Sequence, residues 1–96
     1  MFVQVVHNIA DRGSWAERLE DFEKQGPPTQ FTLHSSGTSI DHTKAFCLWE
    51  AESVDALSAF LDGATAGAAQ NVYYALDETA PGTTLPRTAG AQAAFK

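Results

Sequence analysis

Only six of the 96 residues are Lys or Arg, against twelve Asp or Glu, so the net charge is -6. A chain this short of cations offers no basic patch to a phosphate backbone, which argues against nucleic acid as a partner. Anionic membrane surfaces are disfavoured for the same reason. There is one cysteine, Cys47, so no intrachain disulfide can form. No apolar run is long enough to cross a bilayer, and the first ten residues lack the basic start of a signal peptide. Together these absences point to a cytoplasmic protein. The sequence also has no Gly-rich phosphate loop, no G-x-S-x-G elbow and no zinc-protease helix, so nucleotide chemistry and triad hydrolysis are not expected.

What is present suits one small domain of ordinary hydrophobic content, 44%. Residues 1–9, "MFVQVVHNI", are β-branched and aromatic and read as a strand. Ser14-Trp15-Ala16-Glu17 fits a capping box that opens a helix. Trp15, Leu19 and Phe22 lie on one face of that helix, and Gly26-Pro27-Pro28 ends it. Residues 29–35, "TQFTLHS", alternate and predict a second strand, followed by a turn and a third strand, "KAFCLWEA". Ser53 caps a second helix with Val54, Leu57, Phe60 and Leu61 as its stripe. "QNVYYALD", residues 70–77, is the fourth strand. Residues 78–96 are rich in Thr, Ala, Gly and Pro and read as a mobile or draped tail beyond a domain spanning residues 1–77.

The order β-α-β-β-α-β defines an α+β, ferredoxin-like fold, with two helices on one face of a four-stranded antiparallel sheet. Both parities of the strands are apolar. Phe46 and Leu48 alternate with Cys47 and Trp49, and Val3 and Val5 alternate with Phe2 and Val6. Two helices cover one face only, so the other should meet a second copy, giving a homodimeric α+β barrel with an enclosed space.

The segment "CLWEAESVDAL" is similar to the C-[VL]-[YW]-E-A-x-x-x-x-A-[IL] segment of a family of small uncharacterised ferredoxin-like proteins, matching at Cys47, Leu48, Trp49, Glu50, Ala51, Ala56 and Leu57. His34-Ser35 also falls where that family often carries a similar pair. The family is related to the dimeric α+β barrels and includes a nickel-binding member. The resemblance implies the fold over residues 1–77. It leaves function open, because the wider superfamily spans cofactor-free monooxygenases, isomerases, haem-degrading enzymes and binding proteins.

Each residue able to carry chemistry also has an ordinary structural role. A lone cysteine in a strand, as Cys47 is, is most often a small buried hydrophobe. Glu50 either sits at a wet strand end near the second helix's positive terminus or points into a cavity as a base or ligand. His42 lies in a turn. His7 and His34, near the ends of parallel but non-adjacent strands, could join Glu50 or Cys47 in a mixed site for nickel or zinc. No local metal spacing supports this. Trp49 and Tyr73 are candidates for ligand contact, and Tyr73, His34 and Glu50 for catalytic roles. Adjacent Tyr73 and Tyr74 must leave opposite faces of the sheet, one beneath a helix and one toward the dimer space. With His34 beside the hairpin turn, His34 and Glu50 are too far apart to meet within one chain and would meet only across the dimer. The expected function is a small-molecule-binding homodimer that coordinates a divalent metal in one version of the reading. The alternatives are a cofactor-independent monooxygenase, isomerase or cyclase acting in an aromatic cavity, and a structural or interaction module.

Overall fold

The computed structural model describes residues 1–86. Its elements are β1 (Phe2–Ile9), α1 (Arg12–Gln25), β2 (Thr32–Thr38), β3 (Lys44–Glu50), α2 (Val54–Ala64) and β4 (Ala69–Ala75). The four strands form one antiparallel sheet in the order β2-β3-β1-β4. The ferredoxin-like βαββαβ reading therefore holds. The C-terminal end of the expected tail, residues 87–96, lies outside the described residues. Among those described, residues 77–83 fold into successive turns, with Ala80 N donating to Asp77 O at 3.3 Å and Thr83 N to Ala80 O at 3.1 Å. No helix among the described residues is long and apolar enough to cross a membrane.

Register decides which side chains share a face. Val5 stands opposite Cys47 and Tyr73, and Val3 opposite Trp49 and Ala75. Val3, Val5, His7, Ala45 and Trp49 are all buried, and they pack beneath both helices. Leu57 and Leu61 of α2 close one core with Val3, Val5, Phe31 and Trp49, while Trp15 of α1 packs on Ala45 and Ala68. Trp49 is the centre of the larger core. Phe22, Phe31 and Phe60 meet it edge-on at centroid distances of 6.0, 6.5 and 6.2 Å, a geometry the aromatic quadrupole favours. The opposite parity carries Val6, Phe46, Leu48, Val72 and Tyr74 on the helix-free face. Phe46, Val72 and Tyr74 are 41, 40 and 53% exposed there.

Three local expectations change. The cap of α1 is Asp11, not a Ser14–Glu17 box: the Asp11 carboxylate accepts from Ser14 N at 3.3 Å and from the Ser14 hydroxyl. Asp11 supplies the same chemistry one turn earlier, so the helix starts there. Leu19 stays 41% exposed although it continues the apolar stripe. The second strand begins and ends three residues later than its alternation suggests. Ser36, Gly37 and Thr38 look like turn residues, yet they pair with Cys47, Phe46 and Ala45. A polar, small-residue strand is what a sheet edge tolerates, because it does not invite further pairing. The true turn is residues 39–43. Asp41 Oδ1 there accepts from Ser39 Oγ, Thr43 N and Thr43 Oγ1 at 2.8, 3.0 and 2.8 Å, which holds its carboxyl down at about 2. His42 takes a left-handed φ of 60° at the bend. The second helix, capped by Ser53 through Ala56 N at 3.1 Å, forms as its sequence indicates.

Candidate functional site

The sequence candidates fall into two groups on opposite faces of the sheet. The first group is His34 and Glu50, on the helix-free face. The shift of β2 moves His34 away from the turn, and a β-bulge between Leu33 and Ser35 inserts it as an extra residue beside Glu50. Its Nε2 lies 3.0 Å from Glu50 Oε1. The expectation that these two meet only across a dimer is therefore overturned: they pair within one chain. The Phe2 ring lies 5.2 Å from the imidazole, centroid to centroid, and backs it.

The second group lies beneath the helices and begins with His7. His7 is 2% exposed, and Trp15 from α1 covers its ring at a centroid distance of 4.9 Å. His7 stands directly opposite Asn71 on β4 and one step diagonal from Cys47 on β3. Its Nδ1 is 2.5 Å from Asn71 Oδ1 and its Nε2 is 3.3 Å from Cys47 Sγ.

The proton positions follow from the far end of this chain of contacts. The Thr65 hydroxyl donates to Leu61 O at 2.9 Å, so toward Asn71 it accepts. Asn71 Nδ2 donates to Thr65 Oγ1 at 2.8 Å and to Asp62 Oδ1 at 3.0 Å. Both acceptors fix the amide with its oxygen toward His7. His7 must then carry its proton on Nδ1, and Nε2 accepts the Cys47 S–H. Burial lowers the His7 pKa, partly opposed by the bond to Asn71. Burial also pushes the Cys47 thiol up to about 11, opposed by the N–H of the neighbouring Trp49 indole. At neutral pH the pair is imidazole and thiol, not imidazolium and thiolate, so Cys47 is not an activated nucleophile.

Tyr73 belongs to the same side. Its hydroxyl donates to Asp62 Oδ1 at 2.6 Å. Burial, then this bond, raise its pKa and keep the phenol protonated. It is therefore the tyrosine beneath a helix, with its proton already committed to Asp62. Tyr74 is the one on the helix-free face. The four metal candidates do not converge. His7 and Cys47 lie on one face, His34 and Glu50 on the other, and no group of three or more His, Cys, Asp or Glu able to hold a metal occurs among the described residues.

A cavity of about 200 Å³ lies between α1 and the sheet, bordered by His7, Trp15, Leu33, Cys47 and Trp49, with Arg18 and Glu23 on its helical side. The indole Nε1 atoms of Trp15 and Trp49 are packed out of reach of water and make no hydrogen bond of ordinary geometry, the Trp49 N–H having only the weakly accepting Cys47 sulfur beside it. The role of Trp15 and that of Asn71 were not legible in the sequence. Trp15 scored as a core residue of a helical stripe, and a lone Asn in a strand carries no spacing signal.

Fold and cavity together define a small ferredoxin-like protein with a hollow between one helix and its sheet. Residues 1–62 match the family described as "Domain of unknown function (DUF3303)", and the chain belongs to that family. No curated protein and no solved structure matches the chain.

Proposed function

We propose that this protein is a small-molecule-binding homodimer whose ligand occupies the cavity between α1 and the sheet. The observation that carries this reading is the preformed hollow of about 200 Å³ itself, walled by the apolar side chains of Trp15, Phe22, Leu33, Trp49 and Leu61. The neutral His7–Cys47 pair lines the same space as a polar but uncharged surface. Binding rather than nucleophilic catalysis is the role such a wall supports.

The dimer forms through the helix-free face. The exposed Phe46, Val72 and Tyr74, with half-buried Val6 between them, form an apolar sheet surface there that a second copy would cover. Native mass spectrometry of the gently purified protein tests both parts. A species at about twice the 10.3 kDa chain mass, carrying a small organic adduct, is the expected result. A ligand-free monomer that also binds none of a panel of small aromatic compounds rejects the proposal.

A second reading is favoured by one observation, the preformed His34–Glu50 pair on the same face. One chain supplies two ligands, and a two-fold dimer supplies two imidazoles and two carboxylates, a set that suits zinc or nickel. Calorimetric titration of each metal into wild type and His34→Ala tests it. Binding of one metal per two chains, lost in the variant, supports the shared site. Equal binding or none removes it.

A further inference from the structure

We infer that the cavity between α1 and the sheet takes an uncharged, wholly apolar ring compound, with Leu19 of α1 as a specificity-determining contact. The inference rests on the reading of this cavity as a ligand site and adds the chemistry of the ligand.

Leu19 is where α1 departs from its own pattern. Trp15, Leu19 and Phe22 share one face of the helix. Trp15 is buried against Ala45 and Ala68, and Phe22 packs on the core around Trp49. Leu19, between them, stays 41% exposed. The space it borders is the cavity, with Leu33 and Cys47 on the same wall. An apolar side chain in the middle of a packed stripe lacks an apolar neighbour there, and a ligand in the hollow supplies one.

Size sets the body of the ligand. A dry apolar cavity of about 150 Å³ accommodates benzene. The hollow here, about 200 Å³, has room for one ring and a short alkyl group.

The buried polar groups of the wall are already used. His7 has both ring nitrogens engaged, by Asn71 and by the Cys47 S–H. Thr65 Oγ1 donates to Leu61 O and accepts from Asn71 Nδ2. The two indole N–H groups are packed out of reach of water, so neither opens into the hollow. A trapped water needs about two to four polar partners, and these groups leave it none to spare. A carbonyl or hydroxyl carried to that depth gives up its hydrogen bonds to water with no replacement. A carboxylate would meet neutral imidazole, thiol and indole with no buried cation among them. Arg18, Glu23 and Ser36 also border the cavity, but they are exposed and keep their hydration at its mouth.

The experiment titrates ethylbenzene, acetophenone and benzoate, three rings of similar size, into full-length protein with 13C-labelled leucine methyl groups. The ring current of a bound arene shifts the methyl groups it touches. Ethylbenzene is expected to bind most tightly and to move the methyl resonances of Leu19 and Leu33, leaving those of Leu48, on the helix-free face, in place. Acetophenone is expected to bind at least about tenfold more weakly, within the range for burying an unbonded polar group, and benzoate to give no saturable shift. Leu19→Ala keeps a good helix former at an exposed position, so the fold stands. It should weaken ethylbenzene at least about fourfold, the worth of one buried methylene. Acetophenone or benzoate binding as tightly as ethylbenzene overturns the apolar selectivity and leaves the cavity reading standing. Equal binding by wild type and Leu19→Ala overturns the role of Leu19. If ethylbenzene moves Leu48 and not Leu33, or if no probe moves any leucine methyl, the ligand class and the cavity reading fall together.

Discussion

Replacing Asn71 by Ala removes the group that holds the buried His7 in one tautomer. In the wild type, Asn71 Oδ1 accepts from His7 Nδ1 at 2.5 Å, and its amide nitrogen links Thr65 and Asp62. Asp62 is exposed and can turn to water, so its share of the loss is small. The large term is the Nδ1–H of a residue only 2% exposed, left without an acceptor. Leaving a buried donor unpaired costs about 1–3 kcal/mol. A central value of about 2 kcal/mol lowers the melting temperature by roughly 8–16 °C for a domain of this size. A double-mutant cycle with His7→Phe isolates the cause. Phenylalanine has no N–H to orphan, so Asn71→Ala in that background should cost at least ~1 kcal/mol less than in the wild type. Urea denaturation followed by circular dichroism, at one protein concentration throughout, supplies the four stabilities. Costs that agree within about 0.3 kcal/mol in the two backgrounds would mean the residues are independent. The proton assignment along the chain from Asp62 to Cys47 would then be wrong.

Further expectations concern the two faces and the thiol. Val6→Lys, on the helix-free face, should give a folded monomer by light scattering, whereas Val5→Lys, at a position with no exposure, should unfold the chain; a folded, dimeric Val6→Lys contradicts the placement of the interface. With its pKa near 11 against an ordinary 9.0, Cys47 should react with iodoacetamide at pH 7.5 about a hundredfold more slowly than a small free thiol of ordinary acidity, a ratio read from the thiolate fractions. Stability should fall with acid below about pH 6.5, because the unfolded chain protonates His7 at the ordinary imidazole value of 6.5 while the folded chain, with its lowered pKa, does not. His7→Phe should flatten that slope in urea titrations between pH 7 and 5, and an unchanged slope would assign it to other groups.

The element order and the core were readable because they rest on periodicity. Leu57 and Leu61 recur at helical spacing, and Val3, Val5 and Trp49 share one parity of paired strands. The edge strand was misplaced because Ser36-Gly37-Thr38 obeys turn composition while functioning as a polar sheet edge, a choice that only the sheet context decides. That three-residue displacement, with the bulge it brings, carried His34 from the turn to Glu50. The pairing of His7 with Cys47 and Asn71 depends on which strands are neighbours and in what register. His7 and Asn71 lie 64 positions apart in the chain, and no local pattern links them. The cavity is less legible still. It exists because α1 leaves a gap above the sheet, and volume between elements has no signature in either sequence alone.

The central claim is that the hollow between α1 and the sheet holds a small organic molecule. Both tryptophans border it, so their emission reports its occupancy. Ser36 borders the same cavity from the exposed edge strand, and Ser36→Phe should fill part of it without disturbing the core. The most direct measurement is a tryptophan fluorescence titration of ethylbenzene into wild type and Ser36→Phe, with melting temperatures compared beforehand. The account predicts a saturable change in wild-type emission and, in an equally stable variant, binding weakened at least tenfold. Wild-type emission that does not saturate, or identical binding curves for the two proteins, would contradict it.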